Sequence, residues 1–201
     1  MRTGIVIDHI KIKYNMRAVL YLLLSVLLLV GACKSPQALY NGNVGDWEIA
    51  GEAEWSLSAT DIVGESSGEM GFIKTTKAYG DFELTLDFLP DATVNSGVFI
   101  KCQSGEINPD NCYEINIWDS NPKTQNRSGS IVRRVPANHV VLTTNKWNTM
   151  SIKSKNGTIT AKVNGKKTAS LNSDDWPAGP IAFQAGEGGT IRFKNINIKE
   201  L

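Results

Sequence analysis

Net charge, histidine and long apolar stretches are what this chain has least of. In 201 residues, 21 Lys and Arg stand against 20 Asp and Glu, too even a balance for a surface built mainly to hold nucleic acid. Its two histidines are His9 and His139, which excludes a histidine-rich zinc site. No phosphate-cradling glycine loop or dinucleotide fingerprint occurs. The longest apolar run, AVLYLLLSVLLLV at 18–30, has 13 residues, short of the roughly 20 that a membrane-spanning helix needs. What remains is 41% apolar residues and 18 glycines. This is a foldable, turn-rich chain with the length of a single domain.

The run at 18–30 has the length of a signal-peptide core and is preceded by Arg17 and followed by Gly31, Ala32 and Cys33. That order resembles the bacterial lipoprotein signal, in which cleavage leaves the cysteine as a lipidated first residue. Residues 1–32 are therefore expected to be a signal peptide, with 1–15 a start-site artefact because Met16 directly precedes Arg17. Cys33 is expected to carry lipid, and 33–44 to form a tether to a domain at 45–201. Localisation at the cell envelope follows, periplasmic or at the outer-membrane surface, Lys34 leaning toward the outer membrane. The mature chain would hold 17 basic and 19 acidic residues, so lipid rather than a cationic surface would be its anchor.

After residue 80 the hydrophobic period is two. Phe82, Leu84, Leu86 and Phe88 share one face of a strand, and Glu83, Thr85 and Asp87 the other. Further strands are expected at 97–102, 112–118, 129–134, 148–153, 158–163 and 180–184. Asn156-Gly157 and Asn164-Gly165 suit tight hairpin turns. In the last stretch Ile191 and Phe193 are out of phase with Ile196 and Ile198, so a bulge is expected near Lys194-Asn195. No long helical period appears. The expected fold is all-β, a sandwich of two antiparallel sheets, with an orthogonal barrel as the alternative.

Cys102 and Cys112 lie at the ends of successive strands. Outside the cytosol they are expected to pair, two free thiols being the alternative. Strict alternation puts Cys102 with core-facing Val98 and Ile100 but Cys112 with Glu114, so the loop between them must twist. The polar strand faces carry the chemistry: Phe99 and Lys101, then Glu114, Asn116 and Trp118, with Asp119 just beyond and Asp87 on the strand before. Amides and carboxylates match sugar hydroxyls, and an aromatic plane covers the apolar face of a pyranose. A solvated outer sheet face would give the same pattern. Asn95 opens the turn Asn95-Ser96-Gly97, and Gln184 ends an apolar strand where it can reach a cleft. Asp87, Glu114 and Asp119 could supply oxygen ligands to calcium or another divalent ion. No recognisable loop demands one. His139 reads as an ordinary loop residue.

The ordered set DFELTLDF, NSGVFIK, YEINIWD, WNTMSIK, VNGK, GPIAFQ and FKNINIKEL resembles the bacterial 3-keto-disaccharide hydrolase domain, a relative of concanavalin A-like lectins and glucanases. The resemblance runs from about Trp47 to Leu201. It implies a concanavalin A-like jelly roll with a concave carbohydrate-binding sheet. It also implies cleavage of 3-keto-glycosides, by hydrolysis or by elimination and hydration. Family motif residues match Asp87, Asn95, Glu114, Asp119 and Gln184. Lys101 stands where the family commonly has arginine, and AGEGG follows Gln184 where it commonly has a histidine, so no histidine base carries over. The expected roles are Glu114 or Asp119 as base, Lys101 as enolate or carboxylate partner, and Trp118 as sugar platform. Asn116, Asp87, Asn95, Gln184 and Phe99 are expected to bind substrate. A non-catalytic carbohydrate-binding lipoprotein is the competing reading.

Overall fold

The alternation at residue 82 becomes a strand in the middle of the larger sheet, with one face in the core. In a computed structural model that describes residues 35–201, Phe82, Leu84, Leu86 and Phe88 are at most 1% exposed. They lie on the strand Phe82–Pro90, the sixth of thirteen. In chain order these are β1 (Gln37–Ala38), β2 (Trp47–Gly51), β3 (Glu54–Leu57), β4 (Asp61–Ser66), β5 (Gly71–Thr75), β6 (Phe82–Pro90) and β7 (Ser96–Ile100). Then come β8 (Tyr113–Ile117), β9 (Asn148–Lys155), β10 (Thr158–Val163), β11 (Lys166–Asn172), β12 (Ala182–Ala185) and β13 (Gly189–Glu200).

All pairings of these strands are antiparallel, and they form two sheets. One runs β11-β10-β9-β6-β13-β4-β3, with β1 added on β13; the other runs β2-β5-β12-β7-β8. The fold is an all-β sandwich, as the alternation implied, and a jelly roll, as the family resemblance implied. Its core lies between the sheets, where Phe183 of β12 stacks on Phe193 of β13 with centroids 4.6 Å apart. Such burial is the main favourable term of the fold, at about 25 cal/mol per Å² of apolar surface.

Local chemistry sets the turns. Asn156 and Gly157 have φ of 48° and 73°, and Asn164 and Gly165 have 50° and 77°, the left-handed pairs that tight hairpins require. The expected bulge falls at Asn195, with φ 51°. There the register of β13 against β6 slips between Lys194 and Asn197, so Ile191, Phe193, Ile196 and Ile198 all become buried.

Two expectations fail. Residues 129–134 form no strand: only single bridges, Ile115 to Ile131 and Ile131 to Val135, interrupt a long loop there. Nor are 37–44 a free tether. Gln37 and Ala38 pair with Ile198 and Asn197, and Tyr40 is buried, its hydroxyl donating to the Ser58 carbonyl at 2.5 Å. The proposed signal peptide and Cys33 lie outside the described residues.

Candidate functional site

The outer face of the five-stranded sheet is built around one missing side chain. Phe99 of β7 pairs with Glu114 of β8, and Gly97 with Asn116. Ala182 pairs with Phe99, and the Asn95 to Gly186 bridge continues that register, bringing Gln184 level with Gly97. Gln184, Gly97 and Asn116 thus form one row and Ala182, Phe99 and Glu114 the next. A Cβ on Gly97 would come 3.0 Å from Glu114 Oε1 and 3.1 Å from its Cγ. The glutamate side chain therefore lies across the glycine.

Above this floor is a cavity of about 440 Å³, within the size range of small-ligand sites. The floor supplies Phe72, Phe99, Glu114, Asn116 and Gln184, and Trp118 continues it beyond β8. One wall comes from the loop after β7, through Ile107, Asn108 and Pro109; another comes from the long loop after β8, including Lys123, Asn126 and Arg133. Asn95, Met70 and Glu187 close the opposite side.

Glu114 is the electrostatic centre. It is 6% exposed, and its carboxyl receives no hydrogen bond from any described residue. Burial pushes its pKa up to about 8, with the positive charge of Arg133 pulling the other way. Gln184, 4% exposed, places Nε2 3.1 Å from Met70 Sδ and leaves Oε1 buried without a partner. An unfilled buried acceptor is costly; because Gln184 lines the cavity, a turn of its amide would offer this oxygen to a donor from outside the chain. Asn116 is committed within the fold, its Nδ2 donating to the Asn126 carbonyl and its Oδ1 accepting from Ile117 N at 3.0 Å. It braces the long loop more than it offers polar atoms to a ligand. Asn95 donates to Glu187 Oε1 at 3.3 Å.

Cys102 and Cys112 form a disulfide, and Lys101 accounts for the twist that alternation required. Lys101 adopts φ 54°, which resets the strand phase so that Cys102 joins Cys112, Phe99 and Ala182 in an apolar cluster on the outer face. The bridge closes the 103–111 loop that forms one cavity wall. The same phase change removes Lys101 from the site. It is 3% exposed, and burial holds its pKa down against the pull of Asp81 and Asp174.

Two carboxylates expected in the site are elsewhere. Asp87 lies on β6, in the other sheet, where it accepts from Thr149 Oγ1 and Asn195 Nδ2, both at 2.7 Å. Alternation assigned its side of the strand correctly but could not say which sheet held the strand. Asp119 ties loops together: Ser128 Oγ, Thr143 N and Oγ1, and Thr144 N and Oγ1 all donate to its carboxylate. Burial alone would raise its pKa, but these hydrogen bonds outweigh it and hold the acid below its ordinary value. Asp87, Glu114 and Asp119 therefore do not converge as metal ligands. Among the described residues no cluster of three or more His, Cys, Asp or Glu side chains could hold an ion.

Arg133 was not singled out by the sequence. It lies inside the segment read as a strand, but the loop there gives it φ 61° and turns it to the cavity. Its Nη1 reaches both carboxylate oxygens of Asp110, at 2.8 and 2.7 Å. This ion pair joins the disulfide-closed loop to the long loop, and Arg133 takes the place as site cation that was expected of Lys101.

A family model described as 3-keto-alpha-glucoside-1,2-lyase-like domain matches residues 35–199. Comparison with curated protein sequences returns no match. Among solved structures, a candidate glycosyl hydrolase from Parabacteroides distasonis is 26% identical, with TM-score 0.71, over 83% of this chain and 100% of that one. The carbohydrate-binding module CBM66 from Bacillus subtilis is 12% identical, with TM-score 0.60, over 77% and 96% of the two chains. The exoplasmic/lumenal domain of VIP36, bound to Ca2+ and Man2, is 11% identical, with TM-score 0.60, over 82% and 87%. The last two likenesses are of fold alone.

Proposed function

Because the chain belongs to the 3-keto-alpha-glucoside-1,2-lyase-like domain family, we propose that it cleaves the glycosidic bond of 3-keto-glycosides, with Glu114 as the proton-transferring group. The observation that carries this reading is a buried carboxyl without a hydrogen-bond partner among the described residues, held over Gly97 in a sugar-sized hollow. A ketone at C3 acidifies the hydrogen at C2. The Glu114 carboxylate takes that proton, the C–H electron pair forms the C1–C2 double bond, and the C1–oxygen bond breaks. The departing oxygen takes up a proton and leaves as an alcohol. Water then adds its hydroxyl to C1 and its proton to C2, so the net change is hydrolysis. One acid-base group serves both stages.

The other residues suit supporting roles. The guanidinium of Arg133 offsets charge that develops on the enolate. Gln184 Oε1 accepts from a ring hydroxyl, and Phe99 and Trp118 offer apolar surface to the pyranose. The base form of Glu114 is required, so the rate should rise with pH and level off above about 8. The test is incubation with 3-keto-glucosides while released aglycone is measured. Release above the buffer rate, with that pH profile, supports the proposal, and tight binding with turnover no faster than buffer overturns it.

That second outcome is the signature of a non-catalytic carbohydrate-binding module. One observation favours this reading: of the acids and the lysine expected to do chemistry, only Glu114 lies in the cavity. Attachment to the cell envelope through lipid on Cys33 is part of the proposal, supported by the order Arg17, apolar run, Gly31, Ala32, Cys33. Its check is the N-terminal mass of the cell-derived protein.

A further inference from the structure

The cavity wall does not end at Arg133. A second hollow of about 300 Å³ adjoins it, sharing Lys123, Asn126 and Arg133 and adding Gln125, Arg134 and the chain at Val135 and Pro136. Its lining includes three cationic side chains and no carboxylate. Arg133 and Arg134 are each matched by an aspartate outside the lining, Asp110 at 2.7 Å and Asp175 at 3.3 Å. Lys123 is in no ion pair with a described residue, so the hollow keeps a surplus positive charge.

Arg134 adds an independent feature. Its guanidinium lies over the rings of Tyr113 and Trp176, 5.0 and 4.7 Å from their centroids, and those rings are 4.6 Å apart. Stacking fixes the plane of the fork, which is how arginine is organised for planar anion recognition. Its Nε is buried and has no acceptor among the described residues. Lys123, a surplus cation, and Arg134, an arginine with an unfilled donor, both line this hollow and call for negative oxygen.

We propose that this second hollow receives an anionic group, a carboxylate or a sulfate or phosphate ester, carried on the leaving portion of the glycoside whose reacting ring lies over Gly97. This rests on the reading of the first cavity as the glycoside site. The substrate class narrows accordingly to acidic glycosides. Charge attraction to Lys123 favours them from a distance, and Arg133 stands at the junction between the reacting ring and the charged leaving group.

The test compares two 3-keto-glucosides that differ in one charge, the phenyl and the 4-carboxyphenyl compounds, binding to the full chain by calorimetry at low salt. The carboxylated ligand should bind at least ~10-fold more tightly, with the advantage shrinking as salt is raised. The ratio of the two affinities should fall to about 1 or invert in Lys123→Glu, an exposed position where the change spares the core. Sulfooxyphenyl and phosphonooxyphenyl analogues separate the three anion types. Equal affinities for charged and neutral ligands overturn this inference and leave the glycosidase reading intact. If neither keto-glucoside binds, the glycosidase reading fails, and inorganic sulfate or phosphate decides the hollow. Saturable binding lost in Lys123→Glu then upholds an anion site, and absence of saturable binding removes it.

Discussion

The two sheets turn polar residues outward to different ends: among the described residues the larger sheet pairs several of them across adjacent strands in the open, whereas the smaller sheet buries two of them without partners. On the outer face of the larger sheet, Asp87 accepts from Thr149 and Asn195, Glu83 meets Lys153 Nζ at 2.5 Å, and Thr158 donates to Asn172. These are local pairs between adjacent strands, worth a few tenths of a kcal/mol to about 1 kcal/mol each. On the smaller sheet, walls raised by two loops bury Glu114 and Gln184; among the described residues the Glu114 carboxyl receives no hydrogen bond and Gln184 Oε1 has no partner. The first face is stabilised by its polar groups; the second carries groups that cost stability and are available to a ligand. Polar composition alone does not separate these cases. Burial without partners does.

The sharpest break between the faces is Glu114→Gln, which should lower turnover on 3-keto-glucosides by about 10²-fold or more, as loss of a general base does. The same variant should be more stable than the parent at high pH. With an ordinary pKa near 4.5 unfolded and about 8 folded, the folded state binds more protons between those values, so this group's contribution falls as pH rises through that window. The cost reaches about 3 kcal/mol at pH 7. Thermal melts at pH 4 and pH 8 should show parent and variant close together at the first and the variant ahead at the second. Gln184→Ala comes next, with a rise in KM of about 10-fold for one lost hydrogen bond to a substrate hydroxyl and little loss of stability. Smallest is Asp87→Asn on the opposite face: turnover within about twofold of the parent, and a loss of roughly 0.5–1 kcal/mol in urea unfolding. A large catalytic loss there would erase the distinction between the sheets.

Sequence periodicity reached as far as local geometry allowed. Alternation placed Phe82 to Phe88 in the core, the Asn-Gly pairs gave the hairpins, and the phase conflict between Phe193 and Ile196 located the bulge at Asn195. The pattern at Glu114 and Trp118 put them on one outward face, and Gln184 was singled out by its position at a strand end. Alternation reports the side of a strand and nothing about the sheet that holds it, so Asp87 was grouped with residues across the sandwich. It also assumes an unbroken strand, which the left-handed Lys101 violates. Arg133 carried no local signal, because its place depends on a long loop folding back to meet Asp110. The early strands β2 to β5, which run through residues 47–75, went unread, and so did β11.

Gly97 gives the site a single-atom dial. The carboxyl of Glu114 lies low because nothing but a hydrogen occupies the spot beneath it, and a methyl there would lift the acid by a few tenths of an ångström toward the opening. Proton transfer is sensitive to displacements of that size. On the proposed mechanism, the residue at this one position sorts chains of this architecture whose acid reaches the sugar's C2 from those whose acid does not.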